Sequence, residues 1–141
     1  MTDVLNRTGG ATAGVVTGGM VPPDVHLPDV LPTDRLNERG KPTLEPYDEA
    51  GYMDIAPDDK CDNIRREICM TLELMGIIPE SSHHEGGPGQ NEIDFRYSDP
   101  LTAADNAVTF CAVVKTVANR NGIAADFSPK PLENHPGNGM H

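Results

Sequence analysis

Twice along this chain apolar side chains recur with helical spacing and end at a glycine. Ile64, Ile68, Cys69, Leu72 and Met75 mark one buried face of a helix expected from about Lys60 to Met75. Asp58 or Asp59 stands where a cap is needed at its start, and Gly76 where one is needed at its end. Arg65, Arg66 and Glu67 fall mostly off that stripe. Ala103, Ala107, Phe110, Val114 and Val117 define the apolar face of a longer helix, from about Leu101 to Asn121. Asp99-Pro100 opens it, with proline in the first turn where its missing N–H costs nothing, and Gly122 closes it. Between the helices the period shortens. Ile77 to Ser82 and Asn91 to Tyr97 read as strands joined by a Gly-rich turn, and Ile123 to Ser128 as a final strand. Gly51 to Ile55 alternates briefly and suits a strand or an extended loop. The order predicts an α+β fold, a largely antiparallel sheet with two helices packed on one face.

Neither end of the chain carries such a pattern. Residues 1–35 are punctuated by Gly9-Gly10, Gly18-Gly19 and prolines at 22, 23, 28 and 32, and read as a loop or disordered leader. Their Gly-Gly pairs match no phosphate-loop pattern, for the lysine and hydroxyl are missing. Pro129 to His141 is a second Pro/Gly-rich loop. One domain over 36–141 is expected behind the leader.

Composition narrows the classes. Of the 141 residues 37% are hydrophobic and 4% aromatic, with 14 glycines, 13 prolines and no tryptophan. That is thin material for a core that must offset the ordering entropy of every residue. The formal charge of -11 argues against nucleic-acid binding, which needs clustered cations against phosphate. Cys61, Cys69 and Cys111 are odd in number and lack C-x-x-C spacing, so reduced thiols are expected. No secretory pattern opens the chain and no apolar run approaches a bilayer's thickness, which predicts a soluble, cytoplasmic protein without membrane partners.

Candidate chemistry is concentrated between Glu80 and Phe95. Glu85 and Glu92 flank a segment of three glycines and a proline, a layout that folds two carboxylates toward one point, as a hard divalent cation requires. His141 offers a neutral imidazole, which suits a softer ion such as Mn²⁺. The plainer reading of His83-His84-Glu85 is a polar loop on an acidic surface. Zinc is disfavoured, since the spacing matches neither H-E-x-x-H nor a finger.

A longer string of residues adds to this. Gly51-Tyr52-Met53-Asp54-Ile55-Ala56-Pro57, the Arg65-Arg66 helix and Glu80-Ser81-Ser82-His83-His84-Glu85 appear in order. Gly89-Gln90-Asn91-Glu92-Ile93-Asp94-Phe95, Ala104-Asp105-Asn106, Val113-Val114-Lys115-Thr116, Pro129-Lys130-Pro131-Leu132 and Gly137-Asn138-Gly139-Met140-His141 follow them. With these motifs the chain from about Leu36 onward resembles glutamine synthetase of the bacterial class I type, and specifically part of its catalytic domain. The resemblance implies ATP-dependent ligation of ammonia to L-glutamate through γ-glutamyl phosphate, with Mg²⁺ or Mn²⁺ at two sites and homo-oligomeric rings. It implies Glu85 and Glu92 as ligands of one metal and His141 as a ligand of the other. Glu80 matches the nucleotide-contacting glutamate, Tyr52 the tyrosine near the ammonium pocket, and Gly137 the glycine against the substrate glutamate.

The chain departs from that pattern in three places. Pro136 stands where the family often has asparagine, and proline has no N–H to donate. The family's Glu-x-Glu strand upstream of the Gly-Tyr motif has no counterpart, because Gly19 to Asp34 contains no glutamate. Arginines and a flap glutamate that follow in the family are not matched. The expectation is a poorly active fragment. Two alternatives stand beside it: a non-catalytic partner of full-length glutamine synthetase, and a simple divalent-metal-binding module using Glu85, Glu92 and the histidines.

Overall fold

Both helical stripes become helices in the computed structural model, which describes residues 12–17, 34–36 and 42–140. The order is β1 (Thr12–Thr17), β2 (Asp34–Leu36), β3 (Pro42–Pro46), α1 (Asp62–Leu74), β4 (Pro79–His84), β5 (Asn91–Arg96), α2 (Pro100–Arg120) and β6 (Ile123–Ala124). Among the described residues the strands form two small antiparallel sheets, β1-β5-β4 and β3-β2-β6. The α+β fold with two helices and antiparallel pairing is as the sequence predicts.

The ends of α2 form as expected. The Asp99 side chain accepts from the Leu101 and Thr102 amides at 3.2 Å each, and Gly122 takes the left-handed φ of 75° just past the helix. The start of α1 differs. Asp59 does not cap it; its carboxylate is committed to the Arg65 guanidinium at 3.0 and 2.6 Å, and Cys61 takes the cap position without a side-chain bond. Arg65, expected off the buried stripe, is therefore buried, with further bonds to Ser82 of β4 and Asn91 of β5. A forked pair satisfies enough of its donors for the charge to leave water.

Three strand expectations shift. β4 begins at Pro79 rather than Ile77, because Gly76 turns at φ 86° and the Ile77 amide closes α1 onto Leu72 O at 3.0 Å. Gly51 to Ile55 is a turn, held by Gly51 N–H donating to Asp54 Oδ2 at 2.8 Å. The last strand stops at Ala124, since Asp126 accepts from both the amide and the hydroxyl of Ser128 and bends the chain. Within the stretch read as a loop or disordered leader, residues 12–17 lie along β5 as β1, an edge strand whose β5-facing backbone groups the ladder pairs.

The core lies between the helices and one face of β5. Ile64, Ile68 and Leu72 of α1 meet Phe110, Val114 and Val117 of α2 over Ile93 and Phe95, and Phe127 stacks edge-on against Phe110. Cys61 is part of this core, and all three thiols are free. α2 has 21 residues and an 18-residue window of mean hydropathy 1.2, long and apolar enough by length and composition to cross a bilayer, contrary to the sequence expectation. Here its C-terminal half is spent on the core, while Leu101 and Val108 stay exposed.

Candidate metal centre

Alternation along β5 separates core from chemistry. Ile93 and Phe95 face the helices, so Glu92 and Asp94 face the other way. The β4–β5 register sets His83 opposite Glu92 and Ser81 opposite Asp94, whose carboxylate accepts the Ser81 hydroxyl. The connecting turn is tight. Glu85 N–H donates to Gln90 O at 2.7 Å and Gln90 N–H to Gly87 O at 2.9 Å, and Gly89 sits at φ 62°, a conformation glycine adopts without strain. Glu85 thus returns to the side of Glu92.

Three ligand atoms converge there. His83 Nε2 lies 3.3 Å from Glu85 Oε1 and 3.3 Å from Glu92 Oε2, and one atom of each residue falls within 4.8 Å of the others. They line an open cavity of about 510 Å³ with Tyr52, Met53, Ser81, Ser82 and Asp94. Oxygen ligands at about 2.1–2.5 Å around one ion stand no more than about 5 Å apart, so this donor set fits a small divalent cation. The electrostatics favour one as well. Burial, then Glu85 and Asp94, push the Glu92 carboxyl up to about 8. Burial works against the Glu85 anion too, but bonds from Glu92, the Gly86 amide and His83 outweigh it and hold that carboxyl below its usual range. A cation placed between the two glutamates would compete with the Glu92 proton.

A second layer holds the turn from beneath. His84 is fully buried, with Nδ1 2.6 Å from Glu85 O and Nε2 2.8 Å from Asp48 Oδ1. A carbonyl and a carboxylate can only accept, so both ring nitrogens donate and His84 is cationic. Burial opposes that charge, but Asp48 and the Glu85 carbonyl prevail and raise its pKa above 6.5. Asp48 also accepts from Gly89 N–H at 3.1 Å and Lys60 N–H at 3.0 Å. Met53 N–H donates to His84 O at 3.0 Å, tying the 51–54 turn to the end of β4. On the far side Gln90 Nε2 donates to Gly137 O and Asn138 Oδ1 at 3.0 and 2.7 Å.

The structure unites some of the residues marked from sequence. Glu85 and Glu92 meet as expected. Tyr52 sits on the cavity wall, edge-on to the His83 ring at 5.5 Å between centroids, and is largely exposed. Glu80 lies apart, at an irregularity in β4, paired with Arg96 at 3.4 Å. Arg96 is four positions along β5 from Glu92, or about 13 Å at strand rise. Gly137 packs so close that a Cβ would stand 2.8 Å from Pro129 O, which is why glycine is needed there. His141 lies outside the described residues. From sequence, His83 entered only among the histidines of the metal-binding-module alternative and was not singled out as the third member of this convergence. Its signal is the two-residue spacing His83-x-Glu85, legible once β4 is extended to His84. Asp48, 36 residues from His84, carried no local signal.

A family profile described as "Glutamine synthetase, catalytic domain" matches residues 25–141. Glutamine synthetases of Staphylococcus aureus and Staphylococcus epidermidis are 53% identical over 107 residues, covering 76% of this chain and 24% of theirs. The chain therefore spans about a quarter of the length of the curated relatives it matches. The cryo-EM structure of Plasmodium falciparum glutamine synthetase shares the fold, with a TM-score of 0.67 at 23% identity over 92% of this chain and 28% of that one. An ADP complex of the protein GmaS gives 0.65 at 27% identity over 92% of this chain and 27% of that one.

Proposed function

The chain belongs to the glutamine synthetase family, as a segment of its catalytic domain, and on that premise we propose that it binds one Mg²⁺ or Mn²⁺ between Glu85, Glu92 and His83 in the service of ATP-dependent glutamate–ammonia ligation. The observation that carries this reading is the convergence of those three side chains within 4.8 Å. When bound, the ion offsets the charge of nucleotide phosphate oxygens during phosphoryl transfer. Glu92 would give up its proton to such an ion, and His83 would present Nε2, the ring nitrogen that lies 3.3 Å from an oxygen of each glutamate. Glu85 is already oriented, because Gly86 N–H donates to its second oxygen at 2.8 Å.

Roles assigned by family likeness complete the proposal. Tyr52 borders an ammonium pocket, Glu80 contacts ATP, Gly137 lies against the substrate glutamate, and His141 binds the second metal of the family. Support for weak binding comes from the neighbouring strand. Val16 pairs with Glu92 and Gly14 with Asp94, so β1 brings no acidic residue to the ion. The three ligands that converge among the described residues are few for a hard cation, and a dissociation constant on the order of 10⁻⁴ to 10⁻³ M is expected.

Calorimetry with Mn²⁺ tests the site. The chain should bind one ion and Glu85→Ala should abolish the heat; unchanged binding in that variant overturns the assignment. In a glutamine-forming assay with ATP, ammonium and glutamate, the 141-residue chain alone is expected to turn over negligibly, and robust turnover would refute that.

A further inference from the structure

We propose that Asp48 and His84 are positioning residues for the cation site: together they hold the 85–90 turn in the shape that sets Glu85 beside Glu92. The inference rests on the cation reading above for its purpose, though not for its geometry. The Glu85 carbonyl and the Gly89 amide lie near the two ends of the turn, and the buried pair grips both. His84 Nδ1 donates to Glu85 O at 2.6 Å, and Asp48 Oδ1 accepts from Gly89 N–H at 3.1 Å and from His84 Nε2 at 2.8 Å. The other Asp48 oxygen takes Lys60 N–H at 3.0 Å, which anchors the carboxylate to the chain entering α1. Both side chains are buried, at 0% and 1% exposure, so neither reaches a ligand in the cavity itself. What they supply is a fixed floor. Without it the glycines at 86, 87 and 89 leave the turn free to open, and the glutamates separate.

Groups that orient metal ligands typically change affinity about 10- to 100-fold when removed. The test uses the full chain with Asp48→Asn, close in shape but unable to accept all three bonds, and Asp48→Ala. Leu72→Ala serves as the control, a fully buried core residue of α1 outside the turn. Mn²⁺ affinity is read by calorimetry, and the turn itself by hydrogen exchange at the Glu85 and Gly89 amides. Both Asp48 variants are expected to bind Mn²⁺ at least about tenfold more weakly and to exchange those two amides about tenfold faster, with α2 amides unchanged. Leu72→Ala should lower the melting temperature while folded protein binds Mn²⁺ within twofold of the parent. Should Asp48→Ala fail to fold, Asp48→Asn carries the test. Unaltered exchange at Glu85 and Gly89 overturns the proposal, and so does Mn²⁺ affinity in Asp48→Asn within twofold of the parent. If the parent binds no Mn²⁺, the cation reading falls, and the exchange rates alone then decide whether Asp48 holds the turn.

Discussion

Glu92 shows how one residue's surroundings set what the site does. Burial and its acidic neighbours push its carboxyl from 4.5 up to about 8, so near neutrality the Glu85–Glu92 pair retains a proton. The sign follows directly. A carboxyl whose folded pKa is raised makes the fold less stable as pH rises from 4.5 through about 8, unless a cation takes the proton's place. Mn²⁺ affinity should therefore rise by up to about tenfold per pH unit below that value and level off above it, as titration calorimetry at several pH values can check. Glu92→Gln mimics the protonated form. It should melt at nearly the parent's temperature at neutral pH yet lose at least about tenfold in Mn²⁺ affinity. A large loss of stability in that variant would mean that Glu92 is a structural anchor.

Of the two helices, α1 is the one that ties itself to the strands of the site. Its Arg65 reaches Asp59 ahead of the helix, Ser82 on β4 and Asn91 on β5, so one buried guanidinium fastens helix to sheet behind the glutamates. Removing it strands the Asp59 charge in the interior. Arg65→Ala should cost about 3–5 kcal/mol in urea unfolding, against well under 1 kcal/mol for the exposed Arg66→Ala. Burial opposes the Asp59 anion, but the Arg65 fork and the Cys61 amide outweigh it and hold its pKa below 3.8. Its stabilising contribution is thus complete above 3.8 and is lost as pH falls through the lower, folded value. Thermal melts should fall at that acidic end, a step that Asp48 and Glu85 share because their carboxyls are also held below their usual range, and the step should be smaller in Asp59→Asn. The helical stripe itself was legible because apolar residues repeat at 3.6. Arg65 was not, since periodicity registers hydrophobicity and is blind to a charge that finds its partner six residues away.

Over the whole molecule, a small core holds a chain with a formal charge of -11. Phe110 is central to that core, touching Phe95 at 5.7 Å and Phe127 at 6.2 Å between ring centroids. Phe110→Ala should cost about 3–5 kcal/mol, enough to unfold much of a marginal domain at 37 °C, as circular dichroism would show. Ion binding should act in the opposite direction. At ten times its dissociation constant, Mg²⁺ adds about 1.4 kcal/mol and raises the melting temperature by about 5 °C. Glu85→Ala should erase that rise. A rise that persists would come from general screening of the acidic surface.

By itself the sequence determined the two helices, the antiparallel hairpin, the pairing of Glu85 with Glu92 and the family, because each is written in local spacing or in ordered motifs. Helix and strand periods are properties of neighbouring residues, and a turn rich in glycine announces itself in the string. Only the tertiary structure decided that His83 completes the convergence, that Arg65 goes inside, and that Asp48 and His84 lie beneath the turn. The reason is common to all three. Each depends on a partner brought close by the β4–β5 register or by the chain entering α1, and burial then makes that contact obligatory. No spacing along the chain records which distant residue will satisfy a charge once water has been removed.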